Sequence, residues 1–241
     1  MVRLLGIVGF VLLATASAVA HEPILLDSRR ATPGLLLELT ELTDPSDNRP
    51  RYRLRASGLP PGTVFGVWTK DFGHTFHEVA AGFRVEPSGR LLAVDQDASG
   101  RRQWLDEMDF LPGPYPPGAI WEVAIVSVDR SLTAFAKVIP RPIVAHDGPC
   151  RLSLQLVSHR GDRFMATGDG FAAGDEVVIE SRKSGKVTLK RQRVSAEGRL
   201  RPDVISHGAL GGDHSARYVI TGRACTVAVD YEWGDPALAR R

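Results

Sequence analysis

Residues 52–62 read YRLRASGLPPG, and residues 164–174 read FMATGDGFAAG. Each stretch is a strand-like run closed by two glycines four positions apart, Gly58 and Gly62 in one, Gly170 and Gly174 in the other. A second strand-like run follows each, VFGVW (64–68) and EVVIES (176–181). Downstream, FRVEPSGRLLAV (83–94) answers QRVSAEGRL (192–200), again with a glycine ahead of the next run. Glycines at such positions supply the positive φ that tight turns require, and Pro60-Pro61 presets φ ahead of Gly62. The spacing therefore predicts one β module written twice.

Outward from these stretches, short alternating or fully apolar runs recur between clusters of Gly, Pro, Asp and Ser, and few segments carry a helical period. In the first copy, strands are predicted near 35–42, 50–57, 63–69, 77–85, 90–94, 119–128 and 131–139. In the second they are predicted near 151–158, 162–167, 176–182, 186–194, 199–205, 215–222 and 224–231. Seven short strands per hundred residues is the pattern of an immunoglobulin-like sandwich. The fold class expected is all-β, with two tandem immunoglobulin-like antiparallel β-sandwiches over 21–140 and 150–233. Residues 141–149, proline-rich and without amphipathic pattern, are expected to be a linker, and 234–241 a frayed tail.

Residues 1–20 combine a basic start at Arg3, an apolar run from Leu4 to Ala14 and a small-residue site at Ala18-Val19-Ala20. That is the pattern of a cleaved signal peptide, which places the mature product in a secreted or periplasmic compartment and leaves no later transmembrane segment. Beyond residue 20, 29 basic residues face 28 acidic ones, so overall charge gives no nucleic-acid signature and no nucleic-acid partner is expected. The two cysteines, Cys150 and Cys225, both fall in the second copy. Their spacing excludes a CxxC redox pair, and in an oxidising compartment they predict one disulfide.

The grammar small-Gly-x-x-x-Gly-x-x-V followed by a hairpin at x-x-x-G-R-L resembles bacterial immunoglobulin-like modules of the IPT/TIG type found in exported proteins. That resemblance covers most of both halves. It implies a sandwich used for spacing, adhesion or ligand presentation, and it transfers no catalytic residue.

Three groups of residues carry possible chemistry. The segment KDFGHTFHEV (70–79) places His74 near His77. If the strands run as a simple meander, the 70–76 loop, the 43–49 loop and the long insertion 95–118 open at one end. Asp106, Glu107 and Asp109 would then join the two histidines around a transition metal, imidazole being a common ligand. In a strand, however, i and i+3 face opposite sides, so two surface histidines are the simpler alternative. The insertion also offers Trp104, Asp106, Glu107 and Tyr115 as a candidate ligand loop, with a short helix capped by Ser99; its aromatics would otherwise fold back over the sandwich. His21, at the new N-terminus, resembles the copper-brace histidine of lytic polysaccharide monooxygenases, and that resemblance implies a copper ligand at this residue alone.

The third group is basic. Between Arg182 and Arg201 eight cations accompany a single acid, Glu197. On a hairpin, Lys186, Thr188 and Lys190 would face out and Val187 and Leu189 in. Lys186, Lys190, Arg191 and Arg193 are thus candidates for contact with an anionic glycan, lipid headgroup or other polyanion. Charged edge strands also guard a sandwich against edge-to-edge aggregation. No GxSxG elbow or HExxH motif occurs. Trp68, Trp121, Tyr218 and Trp233 lie on or beside predicted strands and are expected to pack in the cores.

The function expected is therefore non-enzymatic: an exported binding or structural protein of the bacterial cell envelope, with a protein or glycan partner and no cofactor. The alternative is a copper- or other metal-binding protein using His21 or His74 and His77.

Overall fold

The computed structural model describes residues 31–42, 49–94, 102–208 and 214–239. The first half contains β1 (Leu36–Leu42), β2 (Arg51–Ser57), β3 (Val64–Lys70), β4 (His77–Val85), β5 (Leu91–Ala93), β6 (Asp109–Phe110), β7 (Trp121–Ser127) and β8 (Thr133–Val138). The second contains β9 (Ile143–Asp147), β10 (Cys150–Leu156), β11 (Arg163–Asp169), β12 (Glu176–Lys183), β13 (Lys186–Arg193), β14 (Asp203–Ser206), β15 (Ser215–Thr221) and β16 (Thr226–Glu232). They form four antiparallel sheets, β1-β2-β6 against β5-β4-β3-β7-β8 and β14-β11-β10-β9 against β13-β12-β15-β16. The protein is all-β and consists of two tandem β-sandwiches.

The duplication holds at the level of single hydrogen bonds. β6-β2-β1 corresponds to β14-β11-β10, and β4-β3-β7-β8 to β13-β12-β15-β16. The Gly62 N–H donates to Val85 O at 2.8 Å, and Val85 N–H donates back to Thr63 O at 2.9 Å. In the second copy Gly174 N–H donates to Val194 O at 3.2 Å, and Val194 N–H to Asp175 O at 2.8 Å. The two predicted hairpin turns match as well, with Glu86 N–H donating to Arg90 O and Ser195 N–H to Arg199 O, each at 2.9 Å.

Two strands were not legible in the sequence. The segment expected as a linker contains β9, which pairs with β10 from Cys150↔Asp147 to Leu154↔Ile143 and so belongs to the second sandwich. Prolines 140 and 142 precede this strand and Pro149 follows it, so none interrupts it and its amides are free to pair. The insertion contributes β6, which pairs with β2 through Tyr52↔Phe110 and Arg53↔Asp109. The chain thus leaves one sheet after β2, returns at β6 and leaves again at β7, so the connections are crossovers and not a meander.

Alternation along the strands fills the cores. Tyr52, Leu54, Phe65, Val67, Val123 and Ile125 are buried in the first sandwich, and Leu152, Leu154, Phe164, Val177, Ile179 and Tyr218 in the second. Burying each larger aliphatic or aromatic chain is worth roughly 1.5–3 kcal/mol relative to exposure. Of the four ring residues expected in the cores, Trp121, Tyr218 and Trp233 are buried, and Trp68 is partly buried beside Phe76 and Phe135.

Apart from a small separate cluster of Phe76, Ala124 and Val126, the buried hydrophobic residues form one continuous cluster across both sandwiches. At the junction Gly118 N–H donates to Arg141 O at 2.7 Å and Gly118 O accepts from Leu156 N–H at 2.9 Å. A Cβ on Gly118 would sit 3.1 Å from Ile143 Cδ1, Leu154 O and Leu156 N, so the close approach of the two modules, together with a φ of 77°, favours glycine there. The expected fraying of the tail is also not what is found over 234–239. Gly234 N–H donates to Gly161 O at 2.8 Å, a 3-10 turn follows over Asp235–Leu238, and Ala237 is buried.

Candidate functional surface

His74 and His77 are both exposed, and the structure does not bring Asp106, Glu107 or Asp109 to them. His77 opens β4, with its Nε2 3.4 Å from Thr69 Oγ1. Asp106 and Glu107 lie beyond the other end of this nine-residue strand, roughly 25 Å away at about 3.3 Å per residue. The cause is the crossover connectivity, which carries Trp104–Glu107 to the Val85–Leu91 end of the sandwich and pairs Asp109 with Arg53 of β2. Among the described residues, no group of three or more His, Cys, Asp or Glu side chains is close enough to hold a metal ion. His21, Ser99 and residues 43–48 lie outside the described residues.

The side chains of the candidate ligand loop are engaged in holding the insertion against its own module. Arg90 Nε and Nη2 donate to the two carboxylate oxygens of Asp106 at 3.0 and 2.7 Å, and Nη2 also donates to Glu107 at 2.9 Å. The same guanidinium lies 4.2 Å from the centre of the Trp104 ring. Such bidentate and cation–π contacts fix the geometry of a planar group. Asp109 pairs with Arg53 across β2 and β6 at 3.3 Å. Tyr115 is buried; its hydroxyl accepts from Phe72 N–H at 3.1 Å and lies 3.1 Å from Lys70 O and 3.2 Å from Asp71 Oδ1. Burial, reinforced by the Asp71 charge, holds the phenol far above its ordinary range.

One cluster escaped the sequence reading because its members come from three separated segments. His207 is 4% exposed, with its Nε2 3.1 Å from the Tyr231 hydroxyl. It stacks on Trp233 at 5.1 Å, and His214 meets the same indole at a tilt at 4.7 Å. Lys183 Nζ lies 4.1 Å above the same indole. Burial first, and then the Lys183 charge, depress the His207 imidazole from 6.5 to about 4, against a smaller opposing effect of Asp162.

The neutral imidazole is therefore the form the fold accepts. Above pH about 6.5 folded and unfolded chains bind the same number of protons at this site; below it only the unfolded chain gains one. Stability is expected to fall by about 1.4 kcal/mol per pH unit from 6.5 toward 4. Urea unfolding across this window tests it. His207→Phe keeps a ring against Trp233 but cannot titrate, and should flatten the slope; an unchanged slope would place the titration elsewhere.

The basic candidates lie on β13, an edge strand of the second module. Ser184 and Gly185 have φ of 45° and 75°, and Lys183 pairs with Lys186, so a two-residue turn of the I′ kind closes the β12–β13 hairpin. The register then sets Lys190 opposite Ile179 and Gln192 opposite Val177. Both β12 residues are buried, so Lys186, Thr188, Lys190 and Gln192 share the core-side face, while Val187, Leu189, Arg191 and Arg193 share the outer face.

This is the reverse of the orientation expected. The predicted strands end at 182 and begin at 186, implying a three-residue loop, and one residue of slip exchanges the two faces of a strand. Lys190 reaches across to pair with Asp203 of β14. Val187 and Leu189 remain 55% and 63% exposed. Arg191 pairs with Glu176 at 3.1 Å, and on the same face of the hairpin Arg182 pairs with Glu180.

No family model matches the chain, and no curated protein matches it either. A solved structure described as a tetra-tandem repeat in the extending region of a large adhesion protein is similar at 12% identity and a TM-score of 0.27. The likeness covers 83% of this chain and 48% of that one, so this chain spans about half its length. At that score the likeness says nothing of function.

Proposed function

We propose that this chain is an exported, non-enzymatic binding protein of the bacterial cell envelope, in which two immunoglobulin-like modules form a rigid scaffold and present the β13 edge to an acidic protein or glycan. The observation that carries this reading is the composition of that edge, four cations and two exposed aliphatic residues on one open strand. Export is supported by the leader-like pattern of residues 1–20 and by the Cys150–Cys225 disulfide. Among the described residues no helix is long and apolar enough to cross a membrane. The repeated glycine grammar, with matching turn hydrogen bonds in the two modules, supports the affinity with IPT/TIG-type modules.

Titration of the protein beginning at His21 with heparin and with poly-L-glutamate tests the reading. Micromolar binding that weakens about tenfold or more between about 50 and 200 mM salt is expected. A variant carrying Lys186→Glu, Arg191→Glu and Arg193→Glu should lose it. Negligible affinity for both polymers at low salt would overturn the reading.

A further inference from the structure

We infer that β13 is an acceptor edge for strand addition, taking an extended acidic segment of a partner polypeptide as the next strand of sheet β13-β12-β15-β16. This rests on the reading of β13 as the contact surface and goes further, naming the partner's chemistry and its mode of binding.

The first module shows what this position can hold. There β5 pairs antiparallel with β4 through Phe83↔Ala93, Arg84↔Leu92 and Val85↔Leu91, and Val94 N–H adds a bond to Gly82 O at 2.6 Å. Trp104 then bridges to β5 at Leu92. In the second module the chain after the matching turn goes elsewhere: Leu200 N–H donates to Gly168 O, and β14 pairs with β11 in the opposite sheet. Among the described residues, the edge that the first module covers with its own chain at Gly82–Val85 is left open in the second.

The hairpin turn also fixes which backbone groups are free. With Lys183 and Lys186 as the hydrogen-bonded pair that closes a two-residue turn, Thr188, Lys190 and Gln192 also direct their N–H and C=O groups to β12. Val187, Leu189, Arg191 and Arg193 direct theirs to the open edge. A donor strand would meet a ladder of backbone groups at these residues.

Charge selects the occupant. From Lys186 to Arg193 the strand carries four cations and no acid. A second copy pairing through the same edge would bring lysines and arginines against one another, which is destabilising. The exposed ion pair of Arg191 with Glu176 can exchange partners at little cost. In an antiparallel donor, the residues opposite Arg193, Arg191, Lys190 and Lys186 should be acidic and those opposite Leu189 and Val187 apolar. Read from its N-terminus, a peptide ETEEVTVE meets this pattern.

The test uses this peptide, a scrambled isomer of the same composition, and a heparin oligosaccharide on the protein beginning at His21. The peptide should bind about tenfold or more tightly than its scramble and slow amide exchange about tenfold at Val187, Leu189, Arg191 and Arg193. Leu189→Pro removes an outward-pointing N–H while leaving the hairpin ladder its bonds. It should weaken the peptide about tenfold and leave heparin unchanged, whereas Leu189→Ala, which keeps the N–H, should retain most peptide affinity. Unchanged amide exchange at Val177 and Ile179 would show that the proline variant keeps its hairpin.

Equal binding of peptide and scramble, or binding without slowed exchange at the four amides, would overturn strand addition and leave the polyanion-binding reading standing. Concentration-dependent self-association lost in Leu189→Pro would assign the edge to a second copy and also overturn it. Failure of heparin, poly-L-glutamate and peptide alike would overturn both.

Discussion

Removing the Cys150–Cys225 bridge, by reduction or by replacing both cysteines with alanine, is expected to destabilise the second module by about 4 kcal/mol. The bridge joins the first residue of β10 to the residue preceding β16, on opposite sheets, with Cα atoms 6.4 Å apart. It closes a separation of 75 residues, so reduction returns a large conformational freedom to the unfolded chain. Both cysteines are buried, and alanine adds the loss of their packing. Urea unfolding followed through Trp233, the tryptophan of the second module, should show a midpoint lowered by about 2 M on reduction, given slopes of about 1–3 kcal/mol/M. Coincident midpoints with and without reductant would show that the bridge is thermodynamically idle.

The paired glycines should separate into two classes on substitution by alanine. All four have φ between 77° and 81°, so alanine carries the same left-handed conformational cost of about 1–2 kcal/mol at each. Beyond that the sites differ. A Cβ on Gly58 would lie 2.1 Å from Gly34 O, and one on Gly170 would lie 1.9 Å from Pro149 O, both backbone atoms just ahead of the first core strand of their module. Nothing lies within 4 Å of a Cβ on Gly62 or Gly174. Gly58→Ala and Gly170→Ala are therefore expected to cost about 3 kcal/mol or more, against about 1 kcal/mol for Gly62→Ala and Gly174→Ala. Equal losses at all four positions would mean that conformation alone, and not the close backbone approach, holds these glycines in place.

This contrast marks how far the sequence could be read. The repeat of Gly58/Gly62 in Gly170/Gly174 located the same turns in both copies, because a left-handed turn position is local chemistry that names its residue. That one glycine of each pair is also crushed against the opposite end of a neighbouring strand is a tertiary fact. The disulfide was legible because only two cysteines exist. Strand β9 was not, because its alternation is weak between prolines and its reason for being a strand is the free edge of β10.

The candidate metal set failed for a topological reason. Asp106 and Glu107 belong to the far end of β4 and Asp109 pairs with β2 of the other sheet, and no local pattern tells a meander from a crossover. The hairpin orientation failed for a smaller one, a turn of two residues rather than three. Ser184-Gly185 carried part of that signal, since Ser-Gly marks a turn and Gly185 readily takes positive φ, but the positive φ of Ser184 is not something serine announces.

By itself the sequence determined most of the strands (β6 and β9 apart), most of the turns that divide them and the presence of two like modules, which follow from period, glycine and proline within about a dozen residues. Tertiary structure alone decided which edges are filled and which left open. An edge is defined by what does not pair with it, and the strand that fills it in one module has its counterpart drawn away to another sheet in the other. That difference lies in no single residue, because it depends on where distant backbone groups find their partners.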